Sequence, residues 1–437
     1  MIKKHKKFDF TIIGAGPMGM YLSYLLSNRG SKVRLLDGNR EAGGHAKPIN
    51  FCGVKIEIFY HFFYKNDAIR SLKWINSVKG RNKIIWKKIK TEIIYRDKKK
   101  RYFINPDKMY EVFNFIKFEF VKLIIGLLRI KFSKKNSHLT LQKANQWAKL
   151  NFGKKFSLLV WRPLLKGKFG KKWNKISALW LYSRIKTHLS TKNFIDKKSL
   201  FGYLCSTYET TINKTLRYLN KSNSIFIPNS IIKDVVIEKN KITKLKLDNK
   251  NIDIDANEKV ISTIPLFALK KILKNKKEFR YLKKFEGISV IVCILKIKKK
   301  LSDCYWTSIS DNNCPFNAII QQNRLFPKSN FEIVYTSKYI ESDSAFFKMD
   351  KKKISNKTIK SIMSIYSHIS KKDIQKIIVF KSISAAPIPT INTINNVPNF
   401  KSPLENFWHG GLEYVYPEDR GLSNSIEISE KLFSEVK

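Results

Sequence analysis

Six residues near the start of the chain, Gly14-Ala15-Gly16-Pro17-Met18-Gly19, have the spacing G-x-G-x-x-G. Each glycine meets a separate physical demand. Gly14 permits a tight turn, Gly16 lets a pyrophosphate approach the backbone, and Gly19 allows a helix to pack close to a strand. A helix opening at this point presents free N–H groups and a partial positive charge to phosphates. Asp37 follows at the distance where an acid can hydrogen-bond ribose hydroxyls. The chemistry implied is the binding of a dinucleotide.

The elements around the motif give it weight. Phe8–Ile13 is an apolar strand, Met20–Asn28 a helical pattern, Gly30 a stop, and Lys32–Leu36 a second strand ending at Asp37. This unit alone leaves NAD and FAD open. From about Tyr60 to Lys192 the chain is aromatic, basic and mainly helical in pattern. Strands are expected at Ile231–Ile237, Ile242–Leu247 and Lys259–Ile264, with a turn at Lys239-Asn240. Apolar runs follow at Val290–Ile297 and Phe331–Tyr335, and then a polar helical stretch, Lys348–Lys376. A length of 437 residues suggests two domains. No linker rich in Gly, Ser or Pro separates them, so their elements interleave.

A glycine doublet in Arg40-Glu41-Ala42-Gly43-Gly44-His45 comes just after the ribose acid. Such a doublet lets a second loop lie over the pyrophosphate and ribityl chain of FAD. With it the chain resembles the FAD-dependent amine oxidase, protoporphyrinogen oxidase and phytoene desaturase superfamily. Asn406-Phe407-Trp408-His409-Gly410-Gly411 resembles the family's late strand, and Glu418-Asp419-Arg420-Gly421-Leu422-Ser423-Asn424-Ser425-Ile426-Glu427 its closing turn and helix. Val160–Gly170 and Ile176–Arg184 resemble a bacterial subgroup of FAD-dependent oxidoreductases. The chain departs from the family pattern at Ser206-Thr207 and Ile428-Ser429, where Gly-Gly and Ser-Gly are common.

The resemblance implies FAD, with contacts at Gly14, Gly16, Pro17, Met18, Gly19, Asp37, Gly43, Gly44, His45 and Gly410. It further implies that Asp419 binds the ribityl or pyrophosphate region, and that N–H groups around Ser425 and Ile426 face the flavin pyrimidine oxygen. The fold implied is α/β: a discontinuous, doubly wound, Rossmann-like FAD-binding domain (1–60, 196–266 and 386–437) with an inserted α+β substrate domain (61–195 and 267–385).

A flavin takes hydride itself, and the protein holds a C–H bond over N5, excludes water and tunes the ring's charge. Tyr60, His61, Trp161, Lys168, Arg184 and Trp306 are the candidates to roof it. The plainer readings are a hydrogen-bonded core histidine for His61, packing for the tryptophans, and solvated surface for Lys166 and Lys168. The activity expected is that of an oxidase, dehydrogenase or desaturase acting on an amine, a ring or an isoprenoid-like chain. The alternatives are a flavin-dependent isomerase resembling UDP-galactopyranose mutase and a protein that merely retains FAD.

The net charge of +51 is carried mainly by lysines spread along the chain. It reads first as a solvated surface and second as attraction to anionic lipids or substrate. No basic helix, zinc module or RNA-binding signature accompanies it, so nucleic acid is not an expected partner. Five scattered cysteines show no metal-ligand spacing and read as reduced thiols of a cytoplasmic protein. Lys3, Lys4, Lys6 and Lys7 precede an apolar run too short for a secretory signal. Tyr110–Phe132 reads as one helix with Asn114, Lys117, Lys122, Gly126 and Arg129 on its polar face. It is either buried or in peripheral contact with the inner face of a membrane, where a lipid-like or small-molecule substrate could be met.

Overall fold

The computed structural model describes residues 7–436 apart from 81–82, 98–99, 106–107, 134–136, 191–198, 249, 312 and 328. Lys3, Lys4 and Lys6 lie outside the described residues. The first strand, β1 (Phe10–Ile13), has every side chain buried, as a strand covered on both faces requires. Helix α1 (Pro17–Asn28) starts with proline at its first position, where the missing N–H would have had no partner. Strand β2 (Val33–Leu36) returns parallel to β1.

Three distant segments complete this sheet. Its order is Phe407–His409, Lys259–Ser262, β1, β2, Ile225–Ile227, and all four pairings are parallel. Side chains alternate between two cores. Ile12 and Ile261 join Leu22 of α1, Trp74 of helix α2 (Lys65–Ser77), Leu219 of Glu209–Lys221, and Ile426 and Leu432 of Leu422–Glu435. Ile13 and Val260 instead meet Val235, Leu245 and Leu269. Those belong to a three-stranded antiparallel sheet (Ile232–Glu238, Lys241–Leu247, Asn251–Asp253) and to helix Leu266–Ile272. The expected Rossmann-like α/β domain is present, with a β layer covering much of its second face. Lys239 and Asn240 both have positive φ (44° and 61°), the geometry of a tight hairpin turn.

Seven further strands form a mixed sheet, and two two-stranded pairs (Pro48–Phe51 with Val54–Glu57, Ile84–Ile89 with Ser199–Leu204) stand outside it. The order of the seven-stranded sheet is Ile374–Pro387, Gly287–Ile297, Glu332–Ile340, Ala318–Gln321, Trp306–Ser310, Thr91–Asp97, Lys100–Ile104. Beside it, helices α3 (Met109–Ile116), α4 (Phe120–Phe132), α5 (Ala144–Phe152), Arg162–Phe169 and Ala178–Ser190 share a core that includes Leu123, Trp147, Phe152, Leu165 and Leu181.

Three readings of the sequence change. The region 60–192 is not mainly helical throughout, because Ile84–Ile89, Thr91–Asp97 and Lys100–Ile104 are strands. Lysines and arginines interrupt their apolar alternation. That pattern suits strands such as Lys100–Ile104, at a sheet edge, and Ile84–Ile89, which pairs with Ser199–Leu204 alone. Tyr110–Phe132 is not one helix either. It breaks at Lys117, whose φ is +42°, into α3, a tight turn and α4. Gly126 faces inward, since a Cβ there would stand 2.3 Å from the Asn151 carbonyl oxygen, so the glycine lets α4 close on α5. The helix within 348–376 runs from Lys351 to Ile365, and by Ile374 the chain is already in its next strand.

Candidate functional site

The glycine loop turns directly from β1 into α1. Gly14, at φ +104°, donates its N–H to the Leu36 carbonyl at 2.8 Å. A Cβ on Gly19 would lie 1.9 Å from the Gly14 carbonyl oxygen, so only glycine allows this helix its position. Gly16 is different: a Cβ there would meet nothing within 4 Å. Its open face and the N-terminus of α1 suit a pyrophosphate. Pro17 opens the helix and Met18 is buried beneath it.

Asp37 fastens this loop from the side. Its Oδ2 accepts the Ala15 N–H at 2.7 Å, and its Oδ1 accepts the Asn39 N–H at 2.8 Å. A carboxylate has further acceptor sites, which leaves capacity for ribose hydroxyls. The second loop lies on the first. Gly43, at φ +112°, donates to the Ala15 carbonyl at 2.8 Å, and a Cβ on Gly44 would be 3.1 Å from the Gly16 Cα. These residues fit the ADP half of a dinucleotide.

At the far end the structure sharpens the expectation. Helix Leu422–Glu435 packs against α1, and Ser429 Oγ donates to the Met18 carbonyl at 2.9 Å. Ser425 N–H is committed to the Gly421 carbonyl at 3.1 Å, and the Ile426 side chain is fully buried. The N–H groups ahead of the first intrahelical donor are those of Leu422, Ser423 and Asn424. Asn424 is tied to the Asp419 carbonyl at 2.8 Å, while its own Oδ1 is buried without a partner. Gly410 serves packing: a Cβ would stand 2.7 Å from Leu432 Cδ1.

Asp419 is the centre of a charged cluster. Its carboxylate takes a hydrogen bond from Lys168 Nζ and lies 3.4 Å from Arg184. Arg420 next to it donates to the Ala385 carbonyl and to the Tyr339 hydroxyl. Burial alone would raise the Asp419 pKa, but Lys168, Arg184 and Arg420 outweigh it and hold the group well below the usual carboxylate range. Burial and the neighbouring arginines push Lys168 down to about 8 despite Asp419. At neutral pH the cluster therefore carries three positive charges and one negative. Asp419, Arg420, Phe169 and Trp180 line a small cleft of about 30 Å³.

Neutral and aromatic groups adjoin it. His45 Nε2 is 3.0 Å from Ser382 Oγ, and its ring lies 4.5 Å from that of Phe59. Burial, then Arg420, lowers its pKa to about 3. His61 is lowered to about 4, chiefly by burial, and its Nδ1 is buried without a hydrogen-bond partner. Tyr60 touches Trp306 edge-on at 5.4 Å, and its hydroxyl is 3.4 Å from Ser337 Oγ. Burial first, then Tyr339, raises the Tyr60 pKa, against the pull of Arg420 and Arg184. The structure thus draws Tyr60, His61, Lys168, Arg184 and Trp306 into one neighbourhood with His45.

Trp161 stands apart. It ends an irregular helical turn, Ser157–Trp161, and packs on Phe152 at 5.5 Å and Phe156 at 5.9 Å among the helices.

Two residues of the site escaped the sequence reading. Arg420 adjoins the motif acid, and the same turn-like segment that drew attention to Asp419 contained it. Glu413 follows the glycine pair 410–411. Its Oε1 accepts the Phe267 N–H at 3.0 Å, its Oε2 is buried without a partner, and burial raises its pKa to about 7. An acid this close to a glycine-ended strand was the available signal.

Known proteins share this architecture. The family model of the NAD(P)-binding Rossmann-like domain matches residues 12–73. No curated protein matches the chain by sequence. Among solved structures, a protein of Exiguobacterium sp. 255-15, provisionally designated a protoporphyrinogen oxidase, superposes with a TM-score of 0.75 at 13% identity, covering 99% of both chains. Wild-type putrescine oxidase bound to putrescine gives 0.69 at 11%, covering 98% of each. Reduced UDP-galactopyranose mutase gives 0.72 at 13%, covering 98% of this chain and 95% of the other. The chain therefore carries a Rossmann-type dinucleotide-binding domain within the fold that these three proteins have in common.

Proposed function

We propose that the protein is an FAD-dependent oxidoreductase that removes hydride from an amine, a ring or an isoprenoid-like carbon chain. One observation carries this reading: two helices from opposite ends of the chain, each opening after a glycine, pack on each other, with Ser429 in the middle of the second bonded to Met18 at the start of the first. A nicotinamide cofactor needs only the first of them; the second suits the flavin end of FAD. When bound, the flavin supplies the hydride acceptor.

The chain's own groups would bind and orient. Gly16, Gly44 and the α1 N-terminus hold the pyrophosphate, and Asp37 the ribose. Leu422, Ser423 and Asn424 offer N–H groups to the far end. Lys168, Arg184 and Arg420 exceed Asp419 in charge and would stabilise negative charge brought next to that cluster, on reduced cofactor or on an anionic substrate group. His45 and His61 are neutral near pH 7 and can share a hydrogen bond with a bound group. Tyr60 and Trp306 present aromatic surface to a substrate and exclude water.

The fold likeness to UDP-galactopyranose mutase, together with the three cations gathered around Asp419, favours a second reading: isomerisation of a diphosphate-bearing sugar with no net oxidation. Purified protein should be yellow with two visible absorption bands, and Gly16→Trp should be colourless. Wild type that neither carries nor binds FAD would overturn the cofactor assignment. Stoichiometric consumption of an electron acceptor supports the oxidoreductase. Turnover only after dithionite reduction, with no acceptor consumed, supports the isomerase.

A further inference from the structure

We propose that the broken helix α3–α4 seats the protein on the surface of an anionic lipid bilayer. Helix α4 buries Leu123, Gly126 and Ile130. The opposite stripe, Val121, Ile125, Leu128 and Phe132, recurs every three or four residues and faces solvent, with Val121 65% and Phe132 71% exposed. A surface helix ordinarily turns such a stripe inward. At the break, Phe118 is 96% exposed, and Tyr110 and Phe113 continue the apolar surface along α3. Leu127 packs partly into the helical core and is not part of it. A contiguous apolar surface of this kind marks an interaction site.

Charge selects the occupant. Residues 108–132 hold five basic and two acidic side chains. Both acids are engaged: Glu111 accepts the Asn105 N–H at 2.7 Å and pairs with Lys108, and Glu119 accepts the N–H groups of Lys154 and Lys155 at 3.1 and 2.7 Å. Lys122 and Arg129 are exposed beside the apolar stripe. Aromatic and aliphatic side chains edged by cations complement a layer of acyl chains beneath anionic headgroups. Among the described residues, no helix is long and apolar enough to cross a membrane. The segment therefore lies in the surface of the bilayer.

Flotation of the full chain tests this, using phosphatidylcholine vesicles with and without phosphatidylglycerol. Wild type should float with the anionic vesicles, less so at high salt. Phe118→Glu with Phe132→Glu should weaken binding by roughly 100-fold, since each phenyl ring leaves the apolar layer and a repelled charge replaces it. Both positions are exposed, so the variant should keep the wild-type melting temperature. Lys122→Glu with Arg129→Glu should lose only the preference for anionic vesicles. Failure of wild type to float would overturn the proposal, as would flotation insensitive to the phenylalanine substitutions. Self-association abolished by those substitutions, with no vesicle binding, would assign the surface to a second copy of the chain and equally overturn it.

Discussion

Replacing Asp419 by asparagine removes the one negative charge that Lys168, Arg184 and Arg420 surround. The side chains of Asp419 and Lys168 are 16% and 18% exposed, so solvent can repair little of the loss. At 3.4 Å the attraction between Arg184 and Asp419 is about 5 kcal/mol at an effective dielectric of about 20, before desolvation is deducted. Breaking a buried pair on one side costs about 3–5 kcal/mol, because the stranded charge remains. The amide that replaces the carboxylate keeps its shape and can still accept the Arg420 N–H. The destabilisation expected is therefore electrostatic. Lys168→Met should cost less, about 1–3 kcal/mol, since Asp419 retains Arg184 and Arg420. The double variant should be no less stable than Asp419→Asn alone, giving a coupling of at least about 1 kcal/mol. Urea unfolding followed by tryptophan fluorescence measures all four proteins. Additive single effects, within about 0.5 kcal/mol, would show that the cluster is not an energetic unit and refute the reasoning.

Three further outcomes follow from the same geometry. Lys168 is held at about 8 in the folded chain, against 10.5 for an ordinary lysine. In that window the unfolded chain binds more protons, so wild type should gain up to about 3 kcal/mol relative to Lys168→Met as pH rises through it; a flat difference in urea midpoint would contradict this. Glu413 has the opposite sign. Its folded value of about 7 lies above 4.5, so the native state binds more protons and loses stability as pH rises between them. Glu413→Gln in cofactor-free protein should therefore be more stable than wild type by about 2–3 kcal/mol above pH 7, read from thermal melts at several pH values. Finally, Gly16→Ala should change stability by less than about 1 kcal/mol, because its Cβ meets open space. Gly19→Ala should cost more than about 3 kcal/mol, because its Cβ would overlap the Gly14 carbonyl oxygen. Equal melting temperatures for these two variants would contradict the packing described.

Local physics is what the sequence made legible. The glycine loop, Asp37 and the strands on either side of α1 are specified by neighbours within about thirty residues, so spacing alone located them. The hairpin at Lys239-Asn240 was readable for the same reason. The charged cluster was not, because Lys168, Arg184 and Arg420 come from three separate segments and nothing local marks them as partners. For Trp161 the geometry matches the plainer reading of packing: a tryptophan in a family-like segment is often there to fill space, and here it packs on Phe152 and Phe156. The edge strands between residues 84 and 104 were missed because their lysines mask the two-residue period. Gly126 was placed on the polar face, when its lack of a side chain is what brings α4 onto α5.

The bond from Ser429 to the Met18 carbonyl also sets a clock on biosynthesis. β1 finds one sheet neighbour within about twenty-five residues, but the other only at Lys259–Ser262, which itself waits for Phe407–His409. At about 5–20 residues per second, some 20–80 s separate the glycine loop's emergence from that of the helix that completes its surroundings. Through that interval the apolar faces of β1 and α1 lack their final cover. A nascent chain of this protein should thus lean on chaperones early and acquire cofactor late. Bound FAD, which needs both ends, would then certify that synthesis has passed residue 429.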